Sequence, residues 1–148
     1  MFDLDDPTKN FLNPECRIYK EIAKISNLTD ELPALKYGRM YFREISGNGR
    51  DFGRPQGQPC TLAFSRILAD QEVLVAYKTS TVDARPNGGD FVIVDAQLQR
   101  GRRTMTVRYD RTGKRMGASV QIQTHPDPAN RSRSVRLPLE PMQFVVLA

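Results

Sequence analysis

The hydrophobic positions of residues 13–28 repeat at helical spacing, and no later segment shows this pattern. Isoleucines fall at i, i+4 and i+7, and larger side chains widen the apolar stripe on both flanks. The stripe consists of Ile18, Tyr19, Ile22, Ile25 and Leu28. This spacing predicts a one-sided amphipathic helix of about four turns. Asn13 suits the N-cap, Pro14 suits the first helical position, and Pro33 prevents the helix from continuing.

From residue 37 onward, apolar and polar positions alternate, and segments rich in glycine and proline separate the alternating stretches. This pattern is typical of short β-strands joined by turns. The predicted strands are 37–45, 61–68, 73–79, 91–98, 104–109, 118–123, 134–139 and 142–147. Pro138 marks the seventh strand as an edge strand or the site of a bulge, because proline has no N–H for the ladder.

These elements predict an all-β fold. We expect an antiparallel, Greek-key-type β-sandwich of about eight strands, preceded by one amphipathic α-helix. Parallel strands would need helical crossovers, and no helical pattern lies between the strands. Residues 1–36 are expected to hold a lead-in and the helix, and residues 37–148 are expected to form the β-domain.

Charge is distributed unevenly along the 148 residues, whose formal net charge is +5. The net charge is −2 over residues 1–36, zero over 37–99 and +7 over 100–148. No apolar run approaches the about 20 residues of a membrane-spanning helix. The acidic start also lacks the pattern of a signal peptide. We therefore expect no membrane partner, and the cellular location stays unassigned.

The two cysteines, Cys16 and Cys60, are interpreted as free thiols. A single pair does not define a disulfide framework. A metal site would need more cysteine, histidine or carboxylate side chains at close spacing. We therefore expect neither a metal nor a cofactor.

No catalytic group stands out among the polar residues. His125, the only histidine, lies in a proline-rich loop, and a catalytic triad would have to pair it with a serine such as Ser65, inside a predicted strand. The carboxylates that could by type serve glycoside chemistry are Glu44, Asp51, Asp70, Glu72 and Asp95. Asp70 and Glu72 fall near a hairpin turn and are expected to be exposed. No spacing singles out a pair, so no catalytic residue is assigned.

Basic side chains cluster in the turns of the last third. A candidate anion patch consists of Arg100, Arg102, Arg103, Arg111, Lys114 and Arg115, and a further group consists of Arg131, Arg133 and Arg136. Such clusters can hold phosphates or acidic partners. Nucleic-acid sites usually add aromatic platforms or a reading helix, and Tyr109 is the only aromatic residue between these clusters. We interpret the clusters mainly as solvated turns and do not expect a nucleic-acid partner.

The order of the segments resembles a known family. Residues 11–45 resemble the end of the catalytic barrel in α-amylase-family glycoside hydrolases, where a phenylalanine-asparagine-proline lead-in opens the last barrel helix. The matching residues are Phe11, Asn13, Pro14, Ile18, Tyr19, Lys20, Leu32 to Leu35 and Tyr37 to Arg39. Residues 62–81 and 136–147 look like the central hairpin and the final strand pair of that family's C-terminal β-domain. The resemblance covers about residues 11–147.

The resemblance implies a non-catalytic C-terminal domain of a glycoside hydrolase or transglucosidase that acts on α-glucans. A full barrel takes about 250 residues, and none of the family's catalytic motifs matches a position here, so the chain is expected to be inactive by itself. The helix stripe would face the barrel of the parent enzyme. In this chain by itself, the helix would dock on the apolar face of the β-domain or drive self-association. The β-domain would stabilise the barrel and contact α-glucan.

Two other functions stay open at this stage. An autonomous carbohydrate-binding module would stack sugar rings on exposed aromatic side chains. The chain has no tryptophan, so the candidates are Tyr41, Phe42, Phe52 and Tyr77. An anion-binding or nucleic-acid-binding β-domain would use the arginine-rich last third.

Overall fold

A computed structural model describes residues 13–55, 61–81 and 89–148. The helices are α1 (Arg17–Glu31) and α2 (Pro33–Tyr37). The strands are β1 (Arg39–Phe42), β2 (Ile45–Ser46), β3 (Thr61–Leu68), β4 (Gln71–Lys78), β5 (Asp90–Val94), β6 (Thr104–Asp110), β7 (Ser119–Thr124), β8 (Arg133–Leu137) and β9 (Phe144–Leu147). The predicted lead-in over residues 1–12, including Phe11, and Cys60 lie outside the described residues.

The strands of the described segments form one sheet in the order β1-β3-β4-β9-β6-β7-β8-β5-β2, and each neighbouring pair is antiparallel. The sheet curls, so that apolar side chains from strands in both of its halves meet in one core. The prediction of an all-β, antiparallel fold preceded by a helix is therefore confirmed. The Greek-key connection stays a prediction.

Residues 37–45, predicted as one strand, instead belong to α2 and to strands at opposite edges of the sheet. β1 pairs with β3, whereas β2 pairs with β5. Two consecutive residues, Arg43 and Glu44, form backbone hydrogen bonds with β3 and β5, which lie next to opposite edges of the sheet. The Arg43 N–H donates to the Ala63 carbonyl at 2.9 Å, and the Glu44 carbonyl accepts the Ile93 N–H at 3.1 Å. The two edges of the curled sheet therefore meet here, which alternation along the sequence cannot reveal.

The inner face of the sheet carries the larger core. Alternate residues of a strand point to the same face, and the buried inner side chains of β3, β4, β6 and β9 follow this rule. They include Ala63, Leu74, Ala76, Met105, Val107, Val145 and Leu147. This core occupies the space that the curled sheet encloses.

A smaller core lies on the outer face, beneath the helices. It consists of Leu28, Leu32, Ala34, Val73, Val75, Tyr109 and Val146. Gln71 Oε1 accepts the Ala34 N–H at 3.0 Å and so ties α2 to β4. Gly38 ends α2 against β3, where a Cβ would lie 2.5 Å from the Ala34 carbonyl oxygen, so a larger residue would force the backbone apart.

The start of the first helix differs from the prediction. Asn13 closes a turn, in which its Oδ1 accepts the Glu15 N–H at 3.0 Å, and α1 begins only at Arg17. Pro33 ends α1 as predicted and then occupies the first turn of α2. The domain boundary predicted after residue 36 falls inside α2, and the boundary itself stays a prediction.

Two strand predictions were wrong at their ends. β5 ends at Val94, because Asp95 Oδ1 accepts the N–H groups of Gln97 and Leu98, both at 2.9 Å, and bends the chain into a turn. β8 ends before Pro138 and pairs with β5 on one side and β7 on the other. It is therefore an interior strand, and the proline terminates it.

Candidate functional site: an exposed apolar face

The predicted helix stripe is only partly covered by the sheet. Leu28 is buried in the outer core, whereas Ile18, Ile22 and Ile25 are 46%, 59% and 43% exposed, and Tyr19 is 40% exposed. At about 100° per residue, Ile22 lies about 120° around the helix from Leu28. The apolar stripe is therefore wider than the surface the sheet covers, and one flank points away from the sheet.

Polar contacts hold α1 in this orientation. The Tyr109 hydroxyl donates to Glu21 Oε2 at 2.9 Å, and Arg108 Nη2 donates to Glu31 Oε2 at 2.7 Å. Burial and the hydrogen bond to Glu21 raise the pKa of Tyr109. Hydrogen bonds from Lys24 and Tyr109 lower the pKa of Glu21. The hydroxyl therefore stays protonated and the carboxylate ionised at neutral pH, which keeps the bond that orients the helix.

A groove of about 360 Å³ continues the apolar surface from α1 towards β1. Its walls are Ile25, Leu35 and Met40, and its floor includes Phe64, Val75 and Phe144. Phe42 pairs directly with Phe64 and is 80% exposed, so it extends the same row of the outer face. We call this surface the α1–β1 face, defined by Ile18, Tyr19, Ile22, Ile25, Met40 and Phe42.

Glu72, expected to be exposed, is instead buried at the end of the inner core. Its side chain is 0% exposed and pairs with Arg43 Nη2 at 2.7 Å. Ser65 Oγ donates to it at 2.6 Å, Gln99 Nε2 at 3.0 Å, and the Asp95 N–H at 3.0 Å. Four donors thus join this carboxylate to β3, to the residue that follows β1 and to the turn after β5.

The sequence contained a signal for this burial. β4 begins at Gln71, two residues earlier than predicted, so Glu72 shares the inner face with Leu74 and Ala76. Alternation extended backward from those residues places Glu72 inside. The prediction missed this burial because it assumed that a charged residue beside a turn is exposed to solvent.

The other candidates for catalysis are structural or exposed. His125 Nε2 contacts the Arg50 carbonyl at 2.9 Å, and its Nδ1 accepts the Asp127 N–H at 3.0 Å. Both ring nitrogens are therefore engaged in contacts with loop backbone. Ser65 is buried and also accepts a hydrogen bond from Arg43 Nε at 2.7 Å. The remaining candidate carboxylates are partly or fully exposed: Glu44, Asp51, Asp70 and Asp95.

The candidate anion patch divides into two groups at opposite ends of β6. Arg103 precedes this strand and Arg111 follows it, so about 26 Å of strand separates them at about 3.3 Å per residue. The second group binds its own chain through Arg111 to the Met142 carbonyl, Lys114 to Glu140 and Arg115 to the Pro138 carbonyl. The first group, Arg100, Arg102 and Arg103, is exposed around the turn before β6. The six side chains therefore do not converge.

The turn after β6 is organised by Asp110. Its two carboxylate oxygens accept hydrogen bonds from Thr112, from the Arg115 N–H at 2.9 Å and from Gln143 Nε2 at 2.7 Å. Burial alone would raise the pKa of Asp110, but these hydrogen bonds outweigh it and lower the pKa. This turn is thus held by an ionised, buried carboxylate.

The aromatic residues predicted for a carbohydrate module do not form one platform. Tyr41 and Phe42 are 44% and 80% exposed, but as consecutive strand residues they point to opposite faces. Tyr77 and Phe52 are half-buried. Tyr41 alone faces the inner side of the sheet edge.

Within residues 13–55, 61–81 and 89–148, no helix has the length and apolar character that a membrane crossing requires. In the same ranges, no group of three or more histidine, cysteine, aspartate or glutamate side chains is arranged to hold a metal ion. Cys16 forms no disulfide. Comparison with protein-family models, curated proteins and solved structures finds no match to this chain.

Proposed function

We propose that the chain is a non-catalytic β-domain of an α-amylase-like glycoside hydrolase that acts on α-glucans, and that its α1–β1 face docks on the catalytic barrel. The observation that carries this proposal is the open flank of α1. The sheet already holds the helix through Leu28, yet Ile22 keeps 59% of its surface in solvent.

The energetics favour a partner for this surface. Complete burial of an isoleucine side chain is worth about 1.5–3 kcal/mol. Since about half of each of Ile18, Ile22 and Ile25 is still exposed, covering all three would contribute about 3 kcal/mol. Contiguous apolar patches on a soluble surface typically mark interaction sites. The resemblance described above favours a barrel as this partner, because in that family the matching helix belongs to the barrel.

The state of the carboxylates supports a non-catalytic role. Glycoside hydrolysis needs two carboxyl groups on either side of the scissile bond. Of the five candidates, only Glu72 is buried, and its oxygens already accept from Arg43, Ser65 and Gln99. A substrate would have to displace a structural ion pair to reach it.

The docking proposal is tested by adding the purified chain to an α-amylase-family barrel that lacks its own last helix and C-terminal domain. We expect the melting temperature of the barrel to rise with increasing chain concentration, because a ligand that binds only the folded state stabilises it. Ile22→Glu should abolish the rise, and Asn27→Glu, on the polar side of α1, should preserve it. An unchanged melting temperature, or equal effects of the two variants, would contradict docking through this face.

A second assay tests the absence of catalysis. The chain alone, incubated with starch or maltooligosaccharides, should release no reducing ends. Turnover that survives purification to homogeneity would overturn the proposal.

A further inference from the structure

The two edge strands of the sheet differ in whether the chain itself covers their outer side. β2 pairs with β5, and on its other side the Ile45 N–H donates to the Gly53 carbonyl at 2.9 Å, while the Gly53 N–H donates back at 3.1 Å. β1 pairs with β3, and no other strand of the described residues pairs with it. The edge formed by β1 is therefore open.

The register of β1 shows which backbone groups lie along this open edge. The Arg43 N–H donates to the Ala63 carbonyl at 2.9 Å, and β1 pairs with β3 in this same register. In an antiparallel ladder, residues that bond to one neighbour alternate with residues whose N–H and C=O groups point to the other side. Counting back from Arg43, the groups on the open side belong to Met40 and Phe42. No turn, loop or further strand of the described residues bonds to them.

The side chains on this edge are exposed and apolar. Met40 and Phe42 are 50% and 80% exposed, and both lie on the outer face of the sheet. Natural proteins usually protect an open edge with lysine, proline or a β-bulge, and β1 contains none of these. Unpaired backbone groups beside apolar side chains fit an extended polypeptide, which can pair through its own backbone as an added strand.

The charges differ between the two ends of β1. Near its start, Lys36 and Arg39 are exposed, and neither forms an ion pair with a carboxylate of the described residues. Past its end, Arg43 is already paired with Glu72, and the next residue, Glu44, is an exposed carboxylate. An added strand therefore gains from an acidic residue beside Arg39 but not from one beside Arg43.

We propose that β1 accepts an extended segment of a partner polypeptide as an additional antiparallel strand. Antiparallel pairing continues the pattern of every neighbouring pair in this sheet. Because antiparallel strands run in opposite directions, the C-terminal end of the added strand lies beside Arg39. The segment thus carries apolar side chains at alternate positions, next to Met40 and Phe42, and an acidic residue at its C-terminal end. β1 itself has no acidic residue, so a second copy of β1 does not supply this match.

This inference does not rest on the proposed function, because strand addition uses backbone groups in the plane of the sheet, whereas docking on a barrel uses the exposed side of α1. Ile22→Glu, which should abolish docking, should leave strand addition within about twofold of the wild type. The two proposals can therefore fail separately.

The test is a ¹H–¹⁵N NMR titration of the full chain, at low salt, with two blocked peptides of identical composition. Both alternate threonine and valine, and they differ only in whether a single glutamate lies at the C-terminal or the N-terminal end. We expect saturable shifts at the amides of Met40 and Phe42, and about threefold tighter binding of the peptide with the C-terminal glutamate. Equal affinities, or tighter binding of the other peptide, would overturn the assigned partner. The absence of saturable shifts with both peptides would overturn strand addition.

N-methylated peptides test the bonding pattern without altering the protein. In one peptide the methyl groups are on the alternate amides that face β1, and in the other they are on the remaining amides, which point away. The first should bind about tenfold or more weakly than the unmethylated peptide, because it loses its donors to the edge, and the second should bind about as well as that peptide. Equal binding of the two methylated peptides would contradict pairing through the backbone.

Matched variants of the chain separate the edge backbone from the side chain. Met40→Pro removes an N–H on the open side and leaves the ladder to β3 intact, since proline is tolerated on the free side of an edge strand. It should weaken peptide binding about fivefold or more, whereas Met40→Thr, which keeps the N–H, should stay within about twofold of the wild type. Equal weakening by both variants would refute the site. Dimerisation of the wild type that Met40→Pro abolishes would assign the edge to a second copy and so overturn the proposed partner.

Discussion

The two faces of the curled sheet differ in how completely the chain itself covers them. On the inner face, strands from both halves of the sheet cover one another, and the carboxylate at the end of that core, Glu72, has four donors. On the outer face, two helices cover only part of the apolar surface. Ile22 and Phe42 there are 59% and 80% exposed.

This difference follows from how each face is closed. A curled sheet buries its inner side chains as a consequence of its own hydrogen bonding, so closure needs no additional element. The outer face needs a separate layer, and α1 is too narrow to cover the row from Phe42 to Tyr109. The inner face is thus closed by the sheet itself, whereas the outer face keeps an exposed apolar surface.

The largest expected effect on stability comes from breaking the ion pair between Glu72 and Arg43 at the end of the inner core. Glu72→Gln removes the charge opposite Arg43 and should lower the free energy of unfolding by about 3 kcal/mol or more, since an unpaired buried charge is strongly destabilising. The matched control is Asp70→Asn, two residues earlier and exposed, which should change it by less than about 0.5 kcal/mol. Urea unfolding measures both, and equal midpoints would show that Glu72 carries no structural charge.

The next effect tests the part of α1 that the sheet covers. Leu28→Ala should destabilise the protein by about 2 kcal/mol or more, because it leaves a cavity in the outer core. Ile22→Ala, on the same helix but 59% exposed, should cost less than about 1 kcal/mol. Thermal or chemical unfolding compares the two variants. A larger loss for Ile22→Ala would mean that the helix is rotated relative to the sheet.

A smaller, pH-dependent effect concerns Asp110, beside β9. Its folded pKa lies below the ordinary value of about 3.9, since hydrogen bonds outweigh its burial. Its stabilisation should therefore be complete above about pH 4 and disappear as the pH falls through the lower folded pKa. At pH 7, Asp110→Asn should lose about 1–3 kcal/mol. The difference from the wild type should shrink below about pH 4, and a constant difference across that range would contradict the assignment.

The smallest effect on stability is expected for a substitution at Ile22, on the exposed side of α1. The quantity to measure there is the self-association of the chain. Ile22→Glu should leave the free energy of unfolding within about 0.5 kcal/mol of the wild type. Static light scattering should show a lower mass for this variant if the wild-type chain pairs through α1. A monomer in both cases would exclude helix-driven self-association and leave the face free for a barrel.

The sequence predicted the elements well where the periodicity was clean. The strand at 61–68 has the predicted bounds, and the hairpin partner β4 was recognised except for its first two residues. Errors arose where a side chain overrides the pattern. Asp95 ends β5 because its side chain accepts hydrogen bonds from the N–H groups of Gln97 and Leu98. In the sequence, this aspartate cannot be distinguished from an ordinary polar residue of a strand.

The candidate sites were less predictable, because they depend on which segments meet. The stripe of α1 was visible in the sequence, but its division into a covered Leu28 and an open Ile22 depends on the angle at which the helix packs. A cavity of about 290 Å³ lined by Tyr41, Arg43 and Asp95 is assembled from segments more than fifty residues apart in the chain. No local spacing could place Arg43 beside Asp95.

By itself, the sequence determined the all-β class, the single amphipathic helix, the positions of most strands and the basic character of the last third. These properties follow from period, turn residues and composition, which act locally. The tertiary structure alone decided that residues 43 and 44 join the two edges of the sheet, that Glu72 pairs with Arg43, and that Arg111, Lys114 and Arg115 bind their own chain. Those outcomes depend on long-range strand pairing, whose free energy comes from contacts between residues that are distant in the sequence.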